Sequence, residues 1–114
     1  MKKFSLTIVC SASVLSLAAL MPAYGAVDAD AAQALFKKND CSKCHSVDKT
    51  KKGPSLKSIA AKNKGKADGQ ASVIKNITTA PKVKLDDGSQ EEHKVIDSKD
   101  PAAQKNIADW ILSQ

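Results

Sequence analysis

No arginine occurs in this chain; its positive charge rests on 18 lysines against 12 acidic residues. With no guanidinium beside a histidine to assist O–O cleavage, a peroxidase-like activity is poorly supported. Aromatic side chains are also scarce: beyond residue 25 only Phe36 and Trp110 remain. Methionine is confined to Met1 and Met21, and cysteine to Cys10, Cys41 and Cys44. There is no internal repeat, no low-complexity segment, and one sustained apolar run, near the start.

That run reads as an export signal. Lys2 and Lys3 form a basic n-region, Phe4 to Leu20 carries no charge, and Ala23-Tyr24-Gly25 places small residues before an expected cleavage ahead of Ala26. A transmembrane anchor is the structural alternative, but the run is short for a span and ends in Met21-Pro22. Cys10 leaves with the signal. Residues 1–25 are therefore expected to be a secretory signal peptide and residues 26–114 a single domain, soluble and periplasmic after processing. Removing 25 of 114 residues leaves 89, and the +6 charge falls to +4 without Lys2 and Lys3. A chain this short, with two aromatics, struggles to bury an adequate core and commonly needs a staple.

The staple is legible in Cys41-Ser42-Lys43-Cys44-His45. This C-x-x-C-H spacing attaches a c-type haem. Two residues between the thiols let one helical turn present both sulfurs to one edge of a porphyrin, and each thiol adds across one vinyl group. His45 then falls under the iron as a neutral imidazole ligand. Two other chemistries use similar spacings. A redox-active disulfide places Cys-x-x-Cys after a strand, and no β-branched run precedes Cys41. Zinc would need Cys41, Cys44, His45 and His93, with adjacent Cys44 and His45 closing awkwardly on one tetrahedral ion. The haem reading agrees with size, cysteine count and export, since such motifs are loaded outside the cytoplasm.

The remaining chain reads as helical. Asp28 to Asp40 predicts an amphipathic helix, capped by Asp28 or Asp30, with Ala31, Ala34, Leu35 and Phe36 offering an apolar stripe. Val47 to Lys52 is a basic loop ended by Gly53-Pro54. Pro54 suits the first turn of a second helix in which Leu56, Ile59 and Ala60 share a face. Lys62 to Gly69 is expected to be a loop, and Ala71 to Thr79 a third helix with Val73, Ile74 and Ile77 inward, ended by Pro81. Lys82 to Ser98 has no sustained period; Asp87-Gly88 signals a turn, and Val83 and Leu85 can pair briefly as a strand within what is mostly loop. The last helix carries Asp100 as cap, Pro101 at its first position, then Ala103, Ile107, Trp110 and Ile111 on one face. The first and last helices should be the longest, with Phe36 and Trp110 meeting where they cross.

Residues 28–114 resemble the small bacterial monohaem cytochromes c of class I. The shared features are an alanine-rich first helix leading into Cys41-Ser42-Lys43-Cys44-His45, then Val47-Asp48, then Gly53-Pro54, and a closing Ile107-Ala108-Asp109-Trp110-Ile111-Leu112. The resemblance implies an all-α class I cytochrome c fold of about four short helices around one covalent haem c. It also assigns the Pro54 carbonyl the hydrogen bond from the second ring nitrogen of His45, a bond that would fix the tautomer and raise basicity.

One departure matters. The family usually places a methionine ligand in the loop before the last helix, where this chain has Glu91-Glu92-His93-Lys94-Val95. His93 is the expected sixth ligand; Lys94 or another lysine, or an open position, are the alternatives. Imidazole favours ferric iron, so a low potential follows, with Glu91 and Glu92 pushing the same way if near the metal. The expected function is a monomeric periplasmic one-electron carrier and not an enzyme. The alternative is a haem protein that binds or senses nitric oxide or carbon monoxide. Export makes nucleic acid an unlikely partner. Lys37, Lys38, Lys43, Lys49, Lys51, Lys52 and Lys57 surround the motif in sequence and suit a redox partner with an acidic docking surface.

Overall fold

The computed structural model describes residues 26–114, so the expected signal and its anchor alternative lie outside the described residues. Four α-helices form among these: α1 (Ala29–Lys38), α2 (Leu56–Asn63), α3 (Gly69–Thr79) and α4 (Pro101–Leu112). A single 3₁₀ turn follows α1 at Cys41–Lys43, and a short antiparallel hairpin pairs β1 (Lys82–Lys84) with β2 (Gln90–Glu92).

Capping chemistry sets the helix starts. The Asp28 carboxylate accepts from the Ala31 amide at 3.0 Å. Asp100 does the same for Ala102 at 3.0 Å, with Pro101 opening α4 where a missing N–H costs nothing. The second helix departs from expectation. Its cap is Ser55, whose hydroxyl accepts from the Ser58 amide at 3.1 Å, so Pro54 stands just before the helix. The third helix begins at Gly69, not Ala71, and with 11 residues exceeds the 10 of α1. At Gly69 a Cβ would lie 3.1 Å from the Asn63 carbonyl, so glycine relieves crowding where the two helices turn closely.

Helix α4 packs against α1, α2 and α3. Its Ile107, Ala108, Trp110 and Ile111 are buried with Ala32, Phe36, Leu56, Val73 and Ile77. Phe36 and Trp110 meet edge to face, ring centres 5.4 Å apart, at the α1–α4 crossing. On α1 the inward stripe is Ala32, Leu35 and Phe36 with buried Asn39; Ala31 and Ala34 face outward. The i, i+3, i+4, i+7 spacing is kept, rotated by one position so that the polar Asn39 continues it. Asp109, buried on α4, is bonded by Gln70 and by Lys105 at 2.9 Å, so its charge is partnered.

The segment between α3 and α4 is more ordered than its composition suggests. The Leu85 amide donates to Ser89 and the Gly88 amide to Leu85, closing the turn at Asp87-Gly88. Ile96, within the supposed loop, is only 2% exposed and donates its amide to the Ile77 carbonyl at 2.9 Å. No described helix is long and apolar enough to cross a membrane.

Two outcomes are expected. Ile107→Ala should lower the unfolding free energy by roughly 2–5 kcal/mol, while Ala102→Ser, on the exposed side of α4, should change it by less than about 0.5 kcal/mol; denaturant titration reads both. The second concerns acid. Lys38, then Asn39, hold the Asp97 carboxyl below the usual carboxylate range, and Lys94, then Lys43, do so for Asp40. Carboxyls depressed in the folded state stabilise it above the ordinary aspartate pKa of about 3.9, and that contribution is lost as pH falls through the lowered folded values. The denaturation midpoint should therefore fall with acidification below about pH 4, and less steeply in an Asp40→Asn, Asp97→Asn double variant.

Candidate functional site

The turn carrying the two thiols is built by one strained residue and a few backbone bonds. Asp40 takes a left-handed conformation, φ 57°, which a short polar side chain tolerates. It turns the chain out of α1 directly into Cys41. The amides of Cys44 and His45 then both donate to the Cys41 carbonyl, at 3.1 and 2.9 Å. Cys41, Cys44 and His45 thus share one tight turn. Both cysteines are half-buried.

Burial pushes the Cys41 thiol above its ordinary pKa. A disulfide-exchanging Cys-x-x-Cys needs the opposite, a thiolate stabilised near neutral pH. Among the described residues no group of three or more His, Cys, Asp or Glu side chains converges on a metal ion, so the zinc arrangement is not assembled. The two competing readings of the motif lose their support.

His45 is fixed from below. Its Nδ1 lies 2.7 Å from the Pro54 carbonyl oxygen. A carbonyl only accepts, so Nδ1 carries the proton and Nε2 keeps its lone pair. Burial lowers the pKa of His45, against the bond to Pro54, which raises it; His93 lowers it further. A neutral imidazole results, as metal ligation requires. The basic loop folds back to bring Pro54 there. The Gly53 amide donates to Cys44 at 2.9 Å, and the amides of Leu56 and Lys57 donate to Ser46 and Val47. A Cβ at Gly53 would stand 2.7 Å from Cε1 of His45 and 3.1 Å from its Nδ1. The glycine before the proline is thus a steric requirement of the histidine, and the Gly53-Pro54 pair is the signal that marks it.

His93 follows β2, and its amide donates to the Pro81 carbonyl at 2.8 Å. Its ring centre lies 6.0 Å from that of His45, with the two planes inclined at 39°. Metal–imidazole bonds of about 2.0–2.1 Å, plus about 1.1 Å from donor nitrogen to ring centre, put two imidazoles on opposite sides of one ion about 6.3 Å apart. The observed separation fits. Nδ1 of His93 is buried without a hydrogen-bond partner, a deficit that ordinarily costs about 1–3 kcal/mol. Lys94 is turned to Asp40, which its ammonium meets at 2.9 Å. Glu91 and Glu92 are exposed on β2.

Two clefts adjoin the site. One of about 290 Å³ is lined by Phe36, Trp110, His45 and Val47 with Lys37 and Lys51; another of about 440 Å³ lies between Lys51 and Lys52 of the basic loop and Leu85, Asp86 and Glu91 of the hairpin. Every residue singled out in the sequence (Cys41, Cys44, His45, Pro54 and His93) lies in this region. Asn39 and Asp40, which shape it, gave no comparable chemical signal.

The family model described as cytochrome c matches residues 29–114. The chain is similar to cytochrome c-552 of Nitrosomonas europaea, at 35% identity over 107 residues, covering 84% of this chain and 86% of that protein. A stretch of 47 residues is 53% identical to cytochrome c-551 of Stutzerimonas stutzeri, spanning 39% of this chain and less than half, 45%, of that relative. Among solved structures, the class 1 cytochrome MtoD from Sideroxydans lithotrophicus ES-1 is 54% identical with a TM-score of 0.74, over 77% of this chain and 97% of that one. Wild-type Nitrosomonas europaea cytochrome c552 is 34% identical with a TM-score of 0.56, over 71% of this chain and 96% of that one.

Gly53→Ala should displace the His45 ring and weaken its bond to Pro54. The expected loss is about 1–3 kcal/mol of stability, with a shifted His45 Nδ1–H resonance in the proton NMR spectrum. An unshifted resonance would show that the ring tolerates the methyl group.

Proposed function

Because the chain belongs to the cytochrome c family, it carries a covalently attached c-type haem and transfers electrons, and we propose that it is a periplasmic one-electron carrier with His45 and His93 as its two axial ligands. The observation that carries the ligand assignment is the 6.0 Å spacing of the two imidazole rings. The missing methionine supports it: beyond residue 25 there is none to bind iron.

In this reading Cys41 and Cys44 each add a thiol across one porphyrin vinyl group, leaving the exported protein no free thiol. The bound haem supplies a centre that changes by a single electron between ferric and ferrous iron. His45 presents Nε2 to it from a ring whose other nitrogen is held by Pro54, which strengthens the donor. His93 would supply the second nitrogen donor. Two nitrogen donors leave no open position for a substrate, and the relatives are named as cytochromes, so gas sensing is not favoured.

Charge on the surface supports docking to an acidic redox protein. Lys38, Lys43, Lys57 and Lys94 are already paired, with Asp97, Asp40, Asp48 and Asp40 respectively. Among the described residues Lys37, Lys49, Lys51 and Lys52 are in no such pair, and Lys37 and Lys51 border the cleft beside His45 together with half-exposed Val47. Unpaired lysines around a partly apolar opening orient an acidic partner without neutralising the contact in advance.

Methionine stabilises ferrous haem and imidazole the ferric state, so the potential should lie below that of His/Met relatives by a fraction of the about 0.8 V that axial ligation spans. Redox titration measures it, and a value at or above the His/Met class would exclude two imidazoles. The ferric protein should give a low-spin electron paramagnetic resonance spectrum. His93→Ala should convert it to high-spin or ligand-exchanging haem that takes up carbon monoxide rapidly. An unchanged low-spin spectrum would mean that another group occupies the sixth position.

A further inference from the structure

The two histidines are supported in different ways. The His45 ring is oriented by the Pro54 carbonyl at 2.7 Å, whereas Nδ1 of His93 is buried without a hydrogen bond from the protein. The backbone on either side of His93 is tied down instead. Upstream, its amide is tied to Pro81. Downstream, residues 94–97 are fastened to the end of α1. The Asn39 side-chain oxygen accepts from the Asp97 amide at 2.9 Å, and its nitrogen donates to the Leu35 carbonyl at 2.9 Å and to the Asp97 carboxylate at 3.2 Å. Asn39 is only 8% exposed, and both ends of its amide are used. One residue on, Asp40 receives Lys94 at 2.9 Å. Between these two ties Ile96 enters the core.

The geometry points to Asn39 and Asp40 as positioning residues for His93: they clasp the segment that follows it onto the turn that carries Cys41, and so set how readily His93 leaves the iron. This rests on His93 being the distal ligand. The two residues immediately precede Cys41, so the wall bearing the first thiol and the wall bearing His93 are joined at adjacent positions. Any excursion that carries residues 94–97 away from α1 must break the buried Asn39 bonds and the Asp40–Lys94 pair together. Buried amide bonds are the stronger constraint and the exposed ion pair the weaker.

The test is stopped-flow binding of exogenous imidazole to the haem-loaded ferric protein, where the rate at saturating ligand is set by departure of His93. Asn39→Ala should raise that limiting rate about tenfold, and Asp40→Asn, which keeps a residue suited to the left-handed backbone, about two- to threefold. Lys94→Arg, which preserves the pair, and Lys57→Ala, which breaks the unrelated pair with Asp48, should hold the wild-type rate. A merely structural role would lower the urea midpoint and leave the limiting rate unmoved, so both are measured. His93→Ala separates the two levels of argument. If it still shows the wild-type limit, His93 is not the ligand. If it binds imidazole in one fast step while Asn39→Ala and Asp40→Asn keep the wild-type limit, the ligand stands and the clasp is refuted. Should Asn39→Ala fail to fold, Asp40→Asn decides alone.

Discussion

His45 and His93 come from separate parts of the chain, and their rings stand 6.0 Å apart across a gap that neither could hold alone. Flexible side chains lose rotamer freedom when fixed, so each ring needs its own scaffold. His45 obtains it locally, from a turn that folds back through Gly53 to place the Pro54 carbonyl beneath it. His93 obtains it from a distance, through a hairpin, a buried isoleucine and the end of α1. Helix α4 makes both possible by packing against all three other helices, fixing α1 and α3 relative to each other.

The same constraint explains how so sparse a core suffices. Few large side chains are buried among the described residues, and Leu56 and Ile107 are the largest that are fully enclosed. A small domain with this little apolar area is ordinarily marginal. The family's haem is itself a broad apolar surface, and Phe36 and Trp110 line the cleft beside His45, where they join protein core to cofactor site. Core and site are one structure here.

Much of the architecture was legible because it is written in local chemistry. The caps at Asp28 and Asp100, the proline opening α4, the turn at Asp87-Gly88 and the Cys41–His45 spacing all act over a few residues, and sequence patterns report such effects well. The inward face of α1 lies one position from its apolar stripe because buried Asn39 continues it, and a hydrophobic periodicity does not register a polar residue. Pro54 suits a first helical turn by its fixed φ, yet it stands before α2, where its carbonyl serves His45 and Ser55 does the capping. The order in residues 82–98 was hidden for a different reason. Ile96 and Asp97 find their partners on α3 and at Asn39, far away in sequence, and no periodicity announces a contact of that kind.

The chain has a single tryptophan, and it sits in the core at the α1–α4 crossing, on the wall of the cleft beside His45. A haem held beside His45 would take up the excitation of the indole by energy transfer, so tryptophan emission from the folded protein should be weak. When α1 and α4 separate, Trp110 moves away from the absorber and its emission returns. The molecule therefore would contain its own optical gauge of helix docking at the α1–α4 crossing.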